Sequence, residues 1–203
     1  MSDLSRRPWL DLYQGVPSTI EPASETALDM FRATLARGGR DAVLGRYFDQ
    51  AVTAGEFDTM SDGPAVELQR RGIEPGDRVA MYLQNIPQVL VTVLAGWKCG
   101  AVIVPCNPML RERELAKILL DSGSRVIICQ EDLFAEVART TLPSTAVQHS
   151  ITTSPLDFLP EGDPLPPVLA GVTRARQPEV PDLLDLVRRN RGLVPATVEM
   201  TGD

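Results

Sequence analysis

Histidine occurs once in the chain, at position 149. A metal site needs several close-spaced His or Cys ligands, and none are present. A nucleophile–base–acid triad would have to run through this one residue, which precedes a proline-rich stretch and has no G-x-S-x-G partner. His149 therefore reads as a structural or surface residue. Cysteine is scarce as well. Cys99, Cys106 and Cys129 are odd in number and show no C-x-x-C spacing, which argues against a disulfide framework or a zinc ribbon. Lying in or beside apolar segments, they read as buried reduced thiols, and the chain as cytoplasmic. Basic runs are missing: Arg6-Arg7, Arg70-Arg71 and Arg188-Arg189 are isolated pairs on a solvated surface. With Lys+Arg 20 against Asp+Glu 27, the net charge is −7. Nucleic acid and anionic membrane surfaces are poor partners for such a chain. No apolar run reaches the roughly 18 residues of a membrane span, and the N-terminus lacks the apolar core of a signal peptide. Neither G-x-x-x-x-G-K-[ST] nor G-x-G-x-x-G occurs.

What is present is a block from Gly76 to Cys129 that alternates short apolar runs with amphipathic stretches. Arg78–Leu83 (RVAMYL) reads as a strand opened by the Pro75-Gly76 turn signal. A helix over 87–98 follows, with Ile86, Val89, Leu90, Val93, Leu94 and Trp97 at helical spacing. Val91 and Ala95 extend its apolar character to other faces, and Gly100 should end it in a left-handed conformation. Ala101–Val104 is a continuous apolar run, as expected of a parallel strand covered on both faces. Pro105, Asn107 and Pro108 break it. A second helix over 111–122 places Leu115, Ile118 and Leu119 inward and stops at Gly123, and Val126–Cys129 forms a third strand. Strands alternating with helices at this spacing predict right-handed βαβ crossovers and a parallel sheet, an α/β, Rossmann-like layered fold.

Elsewhere the signals are weaker. Residues 1–22 read as an N-terminal arm, anchored on the body by Trp9, Leu12 and Tyr13. Residues 23–152 read as the α/β subdomain, beginning with a helix capped by Ser24 that runs to about Arg37. A strand over Ala42–Phe48 and a helix over Ala54–Arg71 come next, the latter kinked or split by Gly63-Pro64. Leu133–Leu142 reads as a helix and Val147–Thr152 as a strand. Prolines crowd Pro155–Pro181, which predicts an irregular surface loop. A helix over 181–190, with Leu183, Leu184 and Val187 inward, closes the 153–203 region.

The residues also carry a resemblance. RRGIEPGDRVAMYLQNIPQ, then GWKCGAVIVPCNPMLRERELAKILLDSGSRVII, is similar to the first half of the adenylate-forming acyl-CoA ligases, most of all the long-chain fatty acid ligases. Shared features are Gly100–Pro108 (G-A-V-x-V-P-x-N-P) and the helix with Glu114-Leu115 and Asp121-Ser122-Gly123. The Pro8–Pro17 opening (PWLDLYQGVP) matches separately and in register. The sequence departs from the family at Val52-Thr53-Ala54 and at Gly63-Pro64. By this resemblance the chain is a truncated N-terminal part of an ATP-dependent, AMP-forming enzyme that uses ATP, Mg and CoA. The Ser/Thr/Gly-rich phosphate loop (T-S-G-T-T-G-x-P-K-G) would then lie a short distance past Asp203, and the remaining catalytic and C-terminal domains would be its partners. No catalytic, cofactor-binding or metal residue is carried over onto this chain, and the chain alone is expected to be inactive scaffold. A non-catalytic relative acting as a binding module or homodimer is the alternative from another class, and a flavodoxin-like domain is a more distant one.

Within the chain, Gln84-Asn85 falls at the C-terminal end of the first strand, where open parallel sheets bind ligands. It is either a hydrogen-bonding rim or a helix cap. Lys98 could meet a phosphate, but a cation at a helix C-terminus is expected in any case. Arg111-Glu112-Arg113-Glu114 reads as a solvated first turn.

Overall fold

The computed structural model describes residues 7–199, so Arg6 and the outer ends of the predicted arm and C-terminal region lie outside the described residues. Four strands, β3 (Arg78–Tyr82), β4 (Val102–Cys106), β5 (Val126–Gln130) and β6 (His149–Thr153), form one sheet in the order β4-β3-β5-β6. Every pairing is parallel, with Val79 opposite both Ile103 and Val126, and Val126 opposite His149. The chain crosses from β3 to the edge strand β4 through helix α3 (Gln88–Lys98), then returns past β3 to β5 through α4 (Glu112–Ser122). The βαβ reading of the central block is therefore observed.

Both faces of the sheet are covered in its interior, but the edge strand β4 is not the two-sided buried strand its apolar run predicts: Val102 is exposed, and Pro105 lies within the strand rather than breaking it. On one face Val79, Val126, Ile128 and Ile151 pack with Phe57, Leu68, Val91 and Leu94. On the other, Ala80, Ile127 and Cys129 pack with Leu115, Leu119, Phe134 and Val137. All five residues of β5 are buried, which explains why its sequence shows no polar alternation. Tyr82 points into the second core, and its hydroxyl donates to the Leu110 carbonyl at 2.6 Å, tying down the turn after β4. Gly100 adopts φ +69 directly after α3, as its position predicts.

Several local expectations are corrected. The first helix, α1 (Ala27–Gly38), is capped by Thr26, whose hydroxyl accepts from the Asp29 amide at 3.1 Å, and not by Ser24. The strand after it is half of an antiparallel hairpin, β1 (Val43–Tyr47) with β2 (Gln50–Thr53). Here Thr53 and Glu56 form a reciprocal capping box at the start of α2 (Ala54–Arg70). Gly63-Pro64 does not split α2, which runs through as one helix. Two carbonyls of α2 also take tertiary donors: Asn190 Nδ2 donates to Gly63 O at 3.0 Å, and Lys98 Nζ to Asp58 O at 2.7 Å. Trp9, Leu12 and Tyr13 do not anchor the arm; all three are exposed, and the 3-10 turn Pro8–Leu12 buries none of its residues.

After β5 the chain stays helical but changes pitch. A π-helical turn, Phe134–Ala138, lies between α5 (Glu131–Leu133) and α6 (Arg139–Thr141). The proline-rich stretch contains only a short 3-10 turn, Pro167–Leu169, and crosses the surface before α7 (Leu183–Arg189). In α7 it is Leu183 and Leu186 that are buried, with Leu184 and Val187 only partly covered.

Candidate functional site

The C-terminal ends of β3, β5 and β6 and the segments that follow them gather the most concentrated polar chemistry of the fold. This is the edge at which parallel sheets present ligand sites. Gln88 opens α3 and is fully buried; its Nε2 donates to Ser154 O at 2.6 Å and to Asp157 Oδ2 at 3.2 Å. Asp157 Oδ2 also accepts from Thr153 Oγ1 at 2.7 Å and from the Ser154 amide at 2.8 Å. Asp182 caps α7, its Oδ1 accepting from the Leu184 and Asp185 amides at 3.0 and 3.2 Å. Arg174 enters from the proline-rich stretch. Its Nη1 pairs with Asp157 and its Nη2 with Asp182 Oδ2 at 3.0 Å, while its Nε stands 3.8 Å from Glu131 Oε1.

The residues singled out from sequence fall differently. Gln84 and Asn85 are exposed beyond β3. Asn85 does not cap α3: the residue at the cap position is Pro87, with no side-chain cap bond, so the capping alternative fails and an open polar rim remains. Lys98 is neither a free surface cation nor placed to meet an external phosphate. It is 8% exposed, and Nζ donates to Asp62 Oδ1 at 2.6 Å, Asp58 Oδ1 at 2.9 Å and Asp58 O. Burial pushes the Asp58 carboxyl up, but the hydrogen bonds and charges of Lys98 and Arg40 outweigh it and hold the group below its usual value. His149 begins β6, where burial, then the Arg71 and Arg125 charges, lower its pKa. The three thiols are buried and unpaired. Burial raises Cys99 to about 12, Cys106 to about 11, and Cys129 well above the ordinary thiol value. Arg111–Glu114 is exposed, with the Glu114 carboxylate accepting from the Arg111 amide at 3.1 Å.

Sequence reading missed the Asp157–Arg174–Asp182 cluster altogether. Its members are spread through and around a proline-rich stretch with no periodicity to join them. The Lys98 socket left a fainter trace, since Asp58 and Asp62 are i and i+4 on one helix face. A second feature lies at the other side of the sheet. Along the edge strand β4 runs an apolar groove of about 830 Å³, lined by Leu28, Met81, Val93, Trp97, Val102 and Ile103 among others.

Among the described residues no group of three or more His, Cys, Asp or Glu is arranged to hold a metal ion, and no helix is long and apolar enough to cross a membrane. The sheet edge does not fit a nucleoside triphosphate. Glu131, Asp157 and Asp182 give it an excess of negative charge, and Arg174 is already committed to two of them. A polyanion would be repelled rather than drawn in.

Comparison with known proteins gives a consistent result. Residues 31–185 match the family model described as AMP-binding enzyme. A long-chain-fatty-acid–CoA ligase of Escherichia coli O6:H1 is 31% identical over 151 residues, covering 73% of this chain and 27% of the relative. The Bacillus subtilis long-chain-fatty-acid–CoA ligase is 29% identical over 157 residues, covering 77% and 28%. This chain thus spans little more than a quarter of the length of these relatives. Among solved structures, an anthranilate CoA ligase in complex with anthranoyl-AMP superimposes with a TM-score of 0.69 at 16% identity, covering 87% of this chain and 30% of that one. A long-chain-fatty-acid-CoA ligase from Archaeoglobus fulgidus gives 0.66 at 20% identity, covering 92% and 34%. At these identities the structural likeness establishes the fold.

Proposed function

Because the chain belongs to the AMP-binding enzymes, the adenylate-forming acyl-CoA ligase family, we propose that it is the N-terminal scaffold of an ATP-dependent, AMP-forming fatty acid–CoA ligase acting in the cytoplasm. In the whole enzyme the fatty acid carboxylate attacks the α-phosphate of Mg-bound ATP, giving acyl-AMP and pyrophosphate, and the CoA thiol then takes the acyl group with release of AMP. Residues 1–203 do not perform this chemistry alone; they pack against the catalytic and C-terminal domains of the longer polypeptide.

The observation that carries the scaffold reading is the state of two cations, the buried Lys98 and the partly exposed Arg174. Activating a carboxylate needs donors free to meet the triphosphate and the charge that develops on it. Lys98 is spent on Asp58 and Asp62, and Arg174 on Asp157 and Asp182. Both serve the fold. The apolar groove along β4, lined by Met81, Val93, Trp97, Val102 and Ile103, offers a surface for packing against further polypeptide. A homodimer through the same face is the second reading.

The test is acyl-hydroxamate formation from ATP and a panel of carboxylic acids of graded chain length. It compares residues 1–203 with a polypeptide extended to the relatives' full length, at equal concentration. Turnover is expected from the extended polypeptide only, with preference for long-chain acids. Turnover by residues 1–203 would overturn the scaffold reading, and preference for aromatic or short acids would overturn the fatty acid assignment.

A further inference from the structure

At the C-terminal edge of the sheet the charges do not balance. The side chains of Glu131, Asp157 and Asp182 are 3%, 4% and 5% exposed, and Arg174 is the one cation that reaches toward all three. Asp157 and Asp182 are fully engaged, each by Arg174 and by hydroxyl, amide or backbone donors. Glu131 is not. Among the described residues no donor reaches either of its carboxylate oxygens, and Arg174 Nε, at 3.8 Å, is too far to hydrogen-bond.

The neighbouring cations are occupied. Arg176 pairs with Asp185 at 2.6 Å, and Arg139 with Glu179 at 2.9 Å and with Gln177. Gln177 Nε2 does reach residue 131, but it donates to the backbone carbonyl at 3.3 Å and leaves the carboxylate alone. Nearby, Gln88 Oε1 and Gln130 Oε1 are also buried without donors, and Gln88 belongs to the same network through its bond to Asp157. Every unmet atom is an oxygen. A buried carboxylate that accepts no hydrogen bond and shares its one nearby cation, Arg174 at 3.8 Å, with two other carboxylates is unfavourable.

We propose that Glu131 anchors a binding site for a small monovalent cation, either an alkali ion or ammonium. The small size follows from the burial of the Glu131 side chain, which is 3% exposed. The charge follows from the surroundings: no second carboxylate is free to join Glu131, and the nearby Arg174 would repel a divalent ion more strongly. Access is past Arg174, which is 31% exposed and carried on the surface-running proline-rich stretch. The site does not depend on the ligase reading, because it lies wholly within these residues.

The test is thermal unfolding of residues 1–203 in potassium, sodium or ammonium chloride, each titrated against choline chloride at fixed ionic strength. Choline is the reference cation because its methyl groups shield its charge and it has no ammonium hydrogen to donate. The wild-type midpoint should rise and follow a binding curve, the unfolding equilibrium constant falling about tenfold when the cation stands at ten times its Kd. The ion that acts at the lowest concentration separates an alkali site from an ammonium site. Glu131→Gln should abolish the dependence while matching or exceeding the wild-type midpoint in choline, because the unmatched charge is gone. Rubidium in crystals of the wild type should give an anomalous peak beside the Glu131 carboxylate, a readout that stands if the variant fails to fold. Equal midpoints in all four salts, the same cation dependence in Glu131→Gln, or no rubidium peak would overturn the proposal. Those results would assign Glu131 to a buried water or to a shifted Arg174.

Discussion

Replacing Gly63 by alanine tests the close approach of α2 and α7. In an isolated helix the change is favourable by up to about 1 kcal/mol, because glycine is the poorer helix former. Here a Cβ at residue 63 would lie 2.8 Å from Val187 Cα and 2.9 Å from Leu186 O, both backbone atoms of α7. Backbone cannot rotate out of the way, so α7 must move off α2. Overpacking of this kind costs about 1–3 kcal/mol. The displacement also pulls Asn190 Nδ2 from Gly63 O, a buried bond of 3.0 Å, and an orphaned buried polar group costs about 1–3 kcal/mol more. The unfavourable effects win, and Gly63→Ala should lose roughly 2–4 kcal/mol. With a urea m-value near 2 kcal/mol/M, the midpoint should fall by about 1–2 M. Gly96→Ala is the control. Its new Cβ would crowd only the terminal carbon atoms of the Ile103 side chain, which can turn aside, so its loss should be clearly smaller. An unchanged or raised midpoint for Gly63→Ala would mean that the glycine is not what lets the two helices meet.

Two further perturbations are open to the same measurement. Gly100→Val places a β-branched side chain at φ +69 with its Cβ 3.0 Å from Pro75 Cβ; a loss of at least about 1–2 kcal/mol is expected, and an unchanged midpoint would make the glycine incidental. For Asp58 the prediction is a pH dependence. Its folded-state pKa is lowered, so the stabilisation is fully present above the unfolded carboxyl value of about 3.9 and is lost as the pH falls through the lower folded value. The stability gap between wild type and Asp58→Asn should be flat above about pH 5 and close on further acidification. A gap that persists unchanged to the acid limit of folding would show that the Lys98 contact owes nothing to charge.

The sheet was legible because its signal is local. β5 is buried at every position and reads as an unbroken apolar run, and Gly100 punctuates the chain where the backbone must turn left-handed. The facing of α3 was legible only in part. Ile86 and Leu94 of its apolar stripe are buried, as are Val91 and Ala95 on its other faces, yet Leu90 is exposed, and Val93 and Trp97 line the open groove. The fully covered side carries Gln88, Val91, Thr92, Ala95 and Lys98. Polar residues sit inward there because Ser154, Asp157, Asp58 and Asp62 supply partners for Gln88 and Lys98. Periodicity cannot anticipate this, since the partners come from other elements. The acidic cluster was hidden for the same reason: Glu131, Asp157, Arg174 and Asp182 meet only after β5, β6 and the proline-rich stretch are in place. Pro64 misled in the opposite direction, because a local rule for helix breaking was overruled by packing from α3 and α7.

That packing also has a bearing on biosynthesis. The bond between Asn190 and Gly63 joins positions 127 residues apart. At ribosomal rates of about 5–20 residues per second, α2 emerges roughly 6–25 s before the helix that covers it. Throughout that interval the surface later shielded by Leu183 and Leu186 is bare on the nascent chain, though β3, α3 and β4 can already assemble beside it. The newborn polypeptide therefore carries an uncovered apolar face of α2 until α7 arrives to close it.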